Sequence, residues 1–152
     1  MVEIQYDKNL FFIQQKFADS TAALTFLSQQ LITQGYAKPG YTEAILAREQ
    51  VYPTGLPSAE PRVAIPHADS KLINKTTIAV ATLQQPVAFH DMEEVKTTLD
   101  ISMIIMLAIK EPHGQIEMLQ SVVGIIQNTK LMHQIVGATS QDELYQLIMT
   151  NL

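Results

Sequence analysis

The chain divides into short apolar blocks and longer stretches in which apolar residues recur at helical spacing. Large apolar and aromatic residues at 10–17 predict a first strand. Asp19 and Ser20 then offer helix caps, Leu24, Leu27 and Leu31 follow at helical spacing, and Gly35 stands where that helix ends. Pro39-Gly40 marks a turn before a second helix over 41–50, with Ala44, Ile45 and Arg48 clustered around one side. Residues 52–61 hold three prolines and a glycine and read as an irregular loop. The loop leads into Val63-Ala64-Ile65, a short buried strand that must leave its sheet at Pro66, because proline cannot continue the ladder.

Residues 76–83 alternate β-branched and small side chains and predict a strand, with a further short one at 87–89. The block 100–109 is nearly all apolar, as expected of a strand covered on both faces. A helix opens around Pro112, with Ile116, Leu119, Val123 and Ile126 on a shared face. A short helix over 130–136 ends at Gly137. Ser140 with Glu143 forms a capping box for a last helix that carries Leu144, Leu147 and Ile148 inward. Helices and strands interleave, which predicts an α/β fold: a three-layer α/β/α sandwich with helices on each side of the sheet.

Composition narrows the picture. The 152 residues, 47% of them hydrophobic, suit one domain over 1–152 with a single core. The longest apolar stretch, 101–109, is far below a membrane span, and the N-terminus lacks the basic region and apolar run of a secretory signal. A cytoplasmic protein without membrane insertion is expected. The absence of cysteine removes disulfides, thiolate nucleophiles and cysteine metal sites. A formal charge of −5 without a basic run argues against nucleic acid and leaves a basic protein partner electrostatically welcome.

Of the four histidines, His67 alone follows a proline at a strand end, where its imidazole is anchored on one side and open on the other. With an ordinary pKa near 6.5 it is largely neutral and nucleophilic at cytoplasmic pH. His90 falls in a turn and suits solvent exposure. His133 sits near a helix C-terminus, where it complements the dipole, and His113 stands at a helix start, where free N–H groups gather. No zincin or calcium-loop spacing, glycine-rich nucleotide loop, Walker pattern or nucleophile elbow occurs, so neither a metal nor a cofactor is expected. Phosphoryl chemistry would need a donor that arrives already loaded. Arg48 lies on an otherwise small and apolar helix, with a fork suited either to a nearby carboxylate or to a phosphoryl group.

Ala44-Ile45-Leu46-Ala47-Arg48-Glu49, Tyr52-Pro53-Thr54-Gly55-Leu56-Pro57 and Val63-Ala64-Ile65-Pro66-His67 together resemble the enzyme IIA component of the sugar phosphotransferase system. The likeness is to the fructose/mannitol class, and the loop is most similar to its galactitol-type branch. The resemblance implies a mixed sheet flanked by helices and a site at its edge. It implies that His67 accepts a phosphoryl group from phospho-HPr and passes it to a cognate enzyme IIB, with Arg48 helping to hold the phosphohistidine. The family's second histidine, at the start of the helix after the buried strand, is replaced here by Gln115, a neutral hydrogen-bond donor, with His113 two residues earlier. Thr54 or Ser70 could add hydroxyl hydrogen bonds to the phosphoryl oxygens and Asp69 could orient the ring, although an ordinary loop residue is the commoner fate of each. Two other readings stay open: a regulatory module whose protein contacts depend on phosphorylation of His67, and a small hydrolase using His67 with Asp69 or Glu49.

Overall fold

A computed structural model describes residues 4–111 and 114–152. The apolar blocks become four strands, β1 (Phe11–Gln15), β2 (Arg62–Ala64), β3 (Thr77–His90) and β4 (Thr98–Ala108), in the spatial order β1-β3-β4-β2. The long strands β3 and β4 pair antiparallel in the middle of the sheet. The short edge strands β1 and β2 run parallel to β3 and β4 respectively, so the sheet is mixed. Met103 to Ala108 are buried without a break, which requires cover on both faces. Among the described residues five helices supply it: α1 (Ser20–Thr33), α2 (Tyr41–Val51), α3 (Gly114–Ile126), α4 (Thr129–Val136) and α5 (Gln141–Asn151). α1 and α2 pack as one group and α3, α4 and α5 as another, giving the expected three layers.

Local chemistry sets the helix ends. The Asp19 carboxylate accepts the Ala22 N–H at 2.8 Å and starts α1. Gly35, at φ +88°, turns the chain at its other end, where the Tyr36 N–H returns to the Leu31 carbonyl. Gly40, at φ +97°, turns the chain into α2. The hydroxyls of Ser28 and Thr42 meet at 2.8 Å in the buried seam between α1 and α2, so the second helix is seated on the first. At α5 the Ser140 hydroxyl accepts the Glu143 N–H, and the Glu143 side chain accepts from the Thr139 N–H, one residue before the expected position.

Two elements differ from expectation. Residues 76–83 and 87–89 belong to one strand, because β3 passes through a register shift between Thr82 and Val87. Gln84, Gln85 and Pro86 face solvent there, so the missing proline N–H is absorbed in a bulge. In α3, the face expected to point inward points partly outward. Ile116 is 67% and Leu119 38% exposed, while Met118, Val122, Ile125 and Ile126 are buried. Both stripes are apolar, so spacing alone could not choose between them.

The loop between α2 and β2 is tied down despite its irregular path. Gly55 donates its N–H to the His90 carbonyl at 3.1 Å and accepts from the Met92 N–H at 2.9 Å. On its other side, Leu56 donates to the Val63 carbonyl and Ile65 donates to the Thr54 carbonyl at 3.1 Å. A Cβ at Gly55 would stand 2.7 Å from the His90 carbonyl oxygen. Gly55→Ala should therefore force backbone apart and lower stability by about 1–3 kcal/mol, as overpacking does. A denaturant melt with an unchanged midpoint would contradict this packing.

Candidate functional site

β2 ends at Ala64, and the chain leaves the sheet through Ile65 and Pro66. The departure is held by backbone bonds on both sides. The Ile65 N–H reaches the Thr54 carbonyl, and the Pro66 carbonyl accepts the Leu107 N–H of β4 at 2.9 Å. His67 follows, partly buried, with its Nδ1 3.0 Å from the Ile65 carbonyl oxygen. A carbonyl oxygen only accepts, so Nδ1 carries the proton and Nε2 of the neutral ring keeps its lone pair. Burial lowers the His67 pKa from its ordinary value. The bond to Ile65 works against that shift, and the positive charge of Arg48 adds to it. The ring is therefore held neutral, with one defined nucleophilic nitrogen.

Arg48 is exposed in the last turn of α2. Its guanidinium carbon lies 5.2 Å from the centre of the Tyr52 ring, itself 63% exposed, and its charge is felt at His67. Among the described residues no carboxylate stands within ion-pair distance of Arg48. The charge of Arg48 thus bears on His67 from the far side of the proline-rich loop.

Other expectations are relocated. Thr54 is 3% exposed, and its hydroxyl donates to the Glu49 carboxylate at 2.7 Å. A hydroxyl has one proton, so Thr54 supports the site from beneath and does not offer that proton to a phosphoryl oxygen. Asp69 caps a 3₁₀ turn at Ser70–Leu72 by accepting the Lys71 N–H at 2.9 Å, while the ring partner of His67 is the Ile65 carbonyl. His90 and His133 are exposed. His113 lies outside the described residues. So does the side chain of Gln115, whose backbone is in the first turn of α3.

Sequence reasoning gave Glu49 no part in phosphoryl transfer. Burial raises its carboxyl above the ordinary value, and the two bonds from Thr54, with nearby His90, offset that rise only in part. The signal available in the sequence was its place beside Arg48, five residues before Thr54.

The family model for the phosphoenolpyruvate-dependent sugar phosphotransferase system, EIIA 2, matches residues 5–151. The chain belongs to this family. It is 22% identical over 120 residues to the galactitol-specific EIIA component of Escherichia coli K12, covering 79% of each protein. It is 25% identical over 140 residues to the mannitol-specific EIICBA component of the same organism, covering 90% of this chain and 21% of that one. A transcriptional regulator of Bacillus subtilis, ManR, is 31% identical over 101 residues, 66% of this chain and 14% of the regulator. Among solved structures, the complex of enzyme IIAMTL and phosphorylated enzyme IIBMTL from Escherichia coli matches with a TM-score of 0.80 at 23% identity, covering 97% of this chain and 99% of that one. The mixed four-stranded sheet with its five helices is thus the fold of enzyme IIA domains.

The electrostatics around His67 make a signed prediction. An NMR titration of the His67 ring should have its midpoint below the ordinary value of about 6.5, so neutral Nε2 persists to lower pH than in a free histidine. Arg48→Ala removes a contribution that lowers the pKa and should move the midpoint upward. A midpoint above 6.5 in the unmodified protein, or a downward move in the variant, would contradict the arrangement.

Proposed function

We propose that the chain, as one enzyme IIA domain over residues 1–152, is a cytoplasmic phosphoryl carrier of a sugar phosphotransferase system. It accepts the group from phospho-HPr on His67 and passes it to a cognate enzyme IIB. The observation that carries this reading is the His67 ring at the end of β2, with Nδ1–H spent on the Ile65 carbonyl and Nε2 left to react. In the in-line step, the Nε2 lone pair forms a new N–P bond while the donor's N–P bond breaks, and that electron pair returns to the donor imidazole. The ring gains positive charge as the bond forms. The Ile65 carbonyl faces that charge through Nδ1–H, and Arg48 balances the phosphoryl oxygens from the other side.

Reversal of the same geometry hands the group to enzyme IIB. Arg48 is exposed and stacked on Tyr52 instead of locked in an ion pair, which suits a site that must release what it binds. Gln115 and His113 are kept as further support for the phosphoryl group, on the family resemblance alone. A galactitol-like polyol is the favoured cargo of the system, because the galactitol-specific EIIA component aligns over 79% of both chains. The similarity to ManR favours a second reading, in which phosphorylation of His67 regulates contact with another protein.

Incubation with enzyme I, HPr and phosphoenolpyruvate, followed by intact-mass measurement, tests the carrier reading. One acid-labile phosphoryl adduct is expected on the wild type and none on a folded His67→Gln. Adduct on the variant would remove His67 from the chemistry. Arg48→Ala should slow phosphoryl transfer by about 100-fold, the scale of losing one charge-stabilising donor, without a change in fold. An unchanged rate would exclude Arg48 from the step.

A further inference from the structure

The side chains of Arg48 and Glu49 follow one another on α2 and so point about 100° apart around the helix. Arg48 is exposed, whereas Glu49 turns inward toward the loop that precedes β2. Its carboxylate accepts the Thr54 N–H at 2.9 Å and the Thr54 hydroxyl at 2.7 Å, with the second carboxylate oxygen 2.9 Å from that hydroxyl. Two donors of one residue held by one carboxylate leave Thr54 little freedom to tilt. A carboxylate is a costly way to fill half-buried space. What it supplies beyond a hydrocarbon of the same size is this directional grip.

Thr54 is also the next link toward His67. Its carbonyl accepts the Ile65 N–H at 3.1 Å. The Ile65 carbonyl in turn accepts Nδ1–H of His67 at 3.0 Å. Hydrogen bonds thus run without a gap from α2, through the loop and the exit of β2, to the imidazole. The N–H and carbonyl of each residue belong to successive peptide groups, so the links act by fixing one another's orientation, and both backbone polar groups of Ile65 are engaged.

We infer that Glu49 is a positioning residue for His67: gripping Thr54, it orients Ile65 and thereby fixes the tautomer and aim of the imidazole. The inference rests on the carrier reading for its kinetic consequence, though not for its structural one. One helix then sets both halves of the site, Arg48 toward the phosphoryl charge and Glu49 toward the nucleophile. Glu49 touches no reacting atom in this scheme.

Two readouts test it on the full chain. The first is the ring pattern of His67 in long-range proton–nitrogen NMR at neutral pH, which reports the tautomer. The second is the single-turnover rate of phosphorylation by phospho-HPr. Glu49→Ala and Thr54→Val, each verified as folded by circular dichroism, should shift His67 from the Nδ1–H tautomer to a mixture of both forms. The rate should fall about 10- to 100-fold, as expected when a nucleophile is misaimed by an ångström or less. Thr54→Ser, which restores the hydroxyl, should recover most of what Thr54→Val loses. A pure Nδ1–H pattern in a folded Glu49→Ala with wild-type rate would overturn the relay. If the wild type takes no phosphoryl group, the carrier reading fails instead, and the ring pattern alone decides the relay. Should Glu49→Ala not fold, Thr54→Val against Thr54→Ser decides it.

Discussion

A backbone carbonyl has no proton to give, so the 3.0 Å contact between the Ile65 carbonyl and Nδ1 of His67 decides which ring nitrogen is free. β2 is an edge strand, and past its last residue the chain keeps one bond to β4, from the Leu107 N–H to the Pro66 carbonyl. Pro66 has no N–H with which to extend the ladder, and the Ile65 carbonyl is left to the imidazole. Burial and the charge of Arg48 then keep the ring neutral, so the lone pair on Nε2 is both defined in place and present at neutral pH.

The surrounding fold keeps that short segment from moving. On one side β4 holds the Pro66 carbonyl through the Leu107 N–H, and on the other the Thr54 carbonyl holds the Ile65 N–H. The loop carrying Thr54 is wedged against the end of β3, where only a glycine at position 55 allows the two backbones to approach. α2, seated on α1 by the Ser28–Thr42 pair, carries Arg48 and Glu49 into the same region. The proposed nucleophile thus stands at fixed junctions of regular elements, while Arg48 remains on an exposed flank.

Much of this was legible in the sequence because the relevant signals are local. The exit at Pro66, the cap at Asp19, the stop at Gly35 and the box at Ser140 each follow from the chemistry of one or two residues close in sequence. The place of His67 just past a strand end was legible for the same reason. The bulge in β3 was not, since Pro86 reads as a break until a partner strand tolerates the gap. Nor was the inward face of α3, where two apolar stripes compete and only the packed neighbours choose between them. The place of Thr54 beneath the site, and its bond to Glu49, depend on how an irregular loop folds back. Spacing carries no record of that. Asp69 is the exposed loop aspartate that its setting favours, and it caps its own turn.

The claim on which the whole account turns is that Nε2 of His67 is the reacting nitrogen. Nitrogen-resolved NMR of the phosphorylated protein, prepared with enzyme I, HPr and phosphoenolpyruvate, addresses it directly. A phosphoryl group on Nε2, with Nδ1 still protonated, is the predicted result. A phosphoryl group on Nδ1 would mean that the bond to Ile65 is broken for reaction, and the account of the site would be wrong.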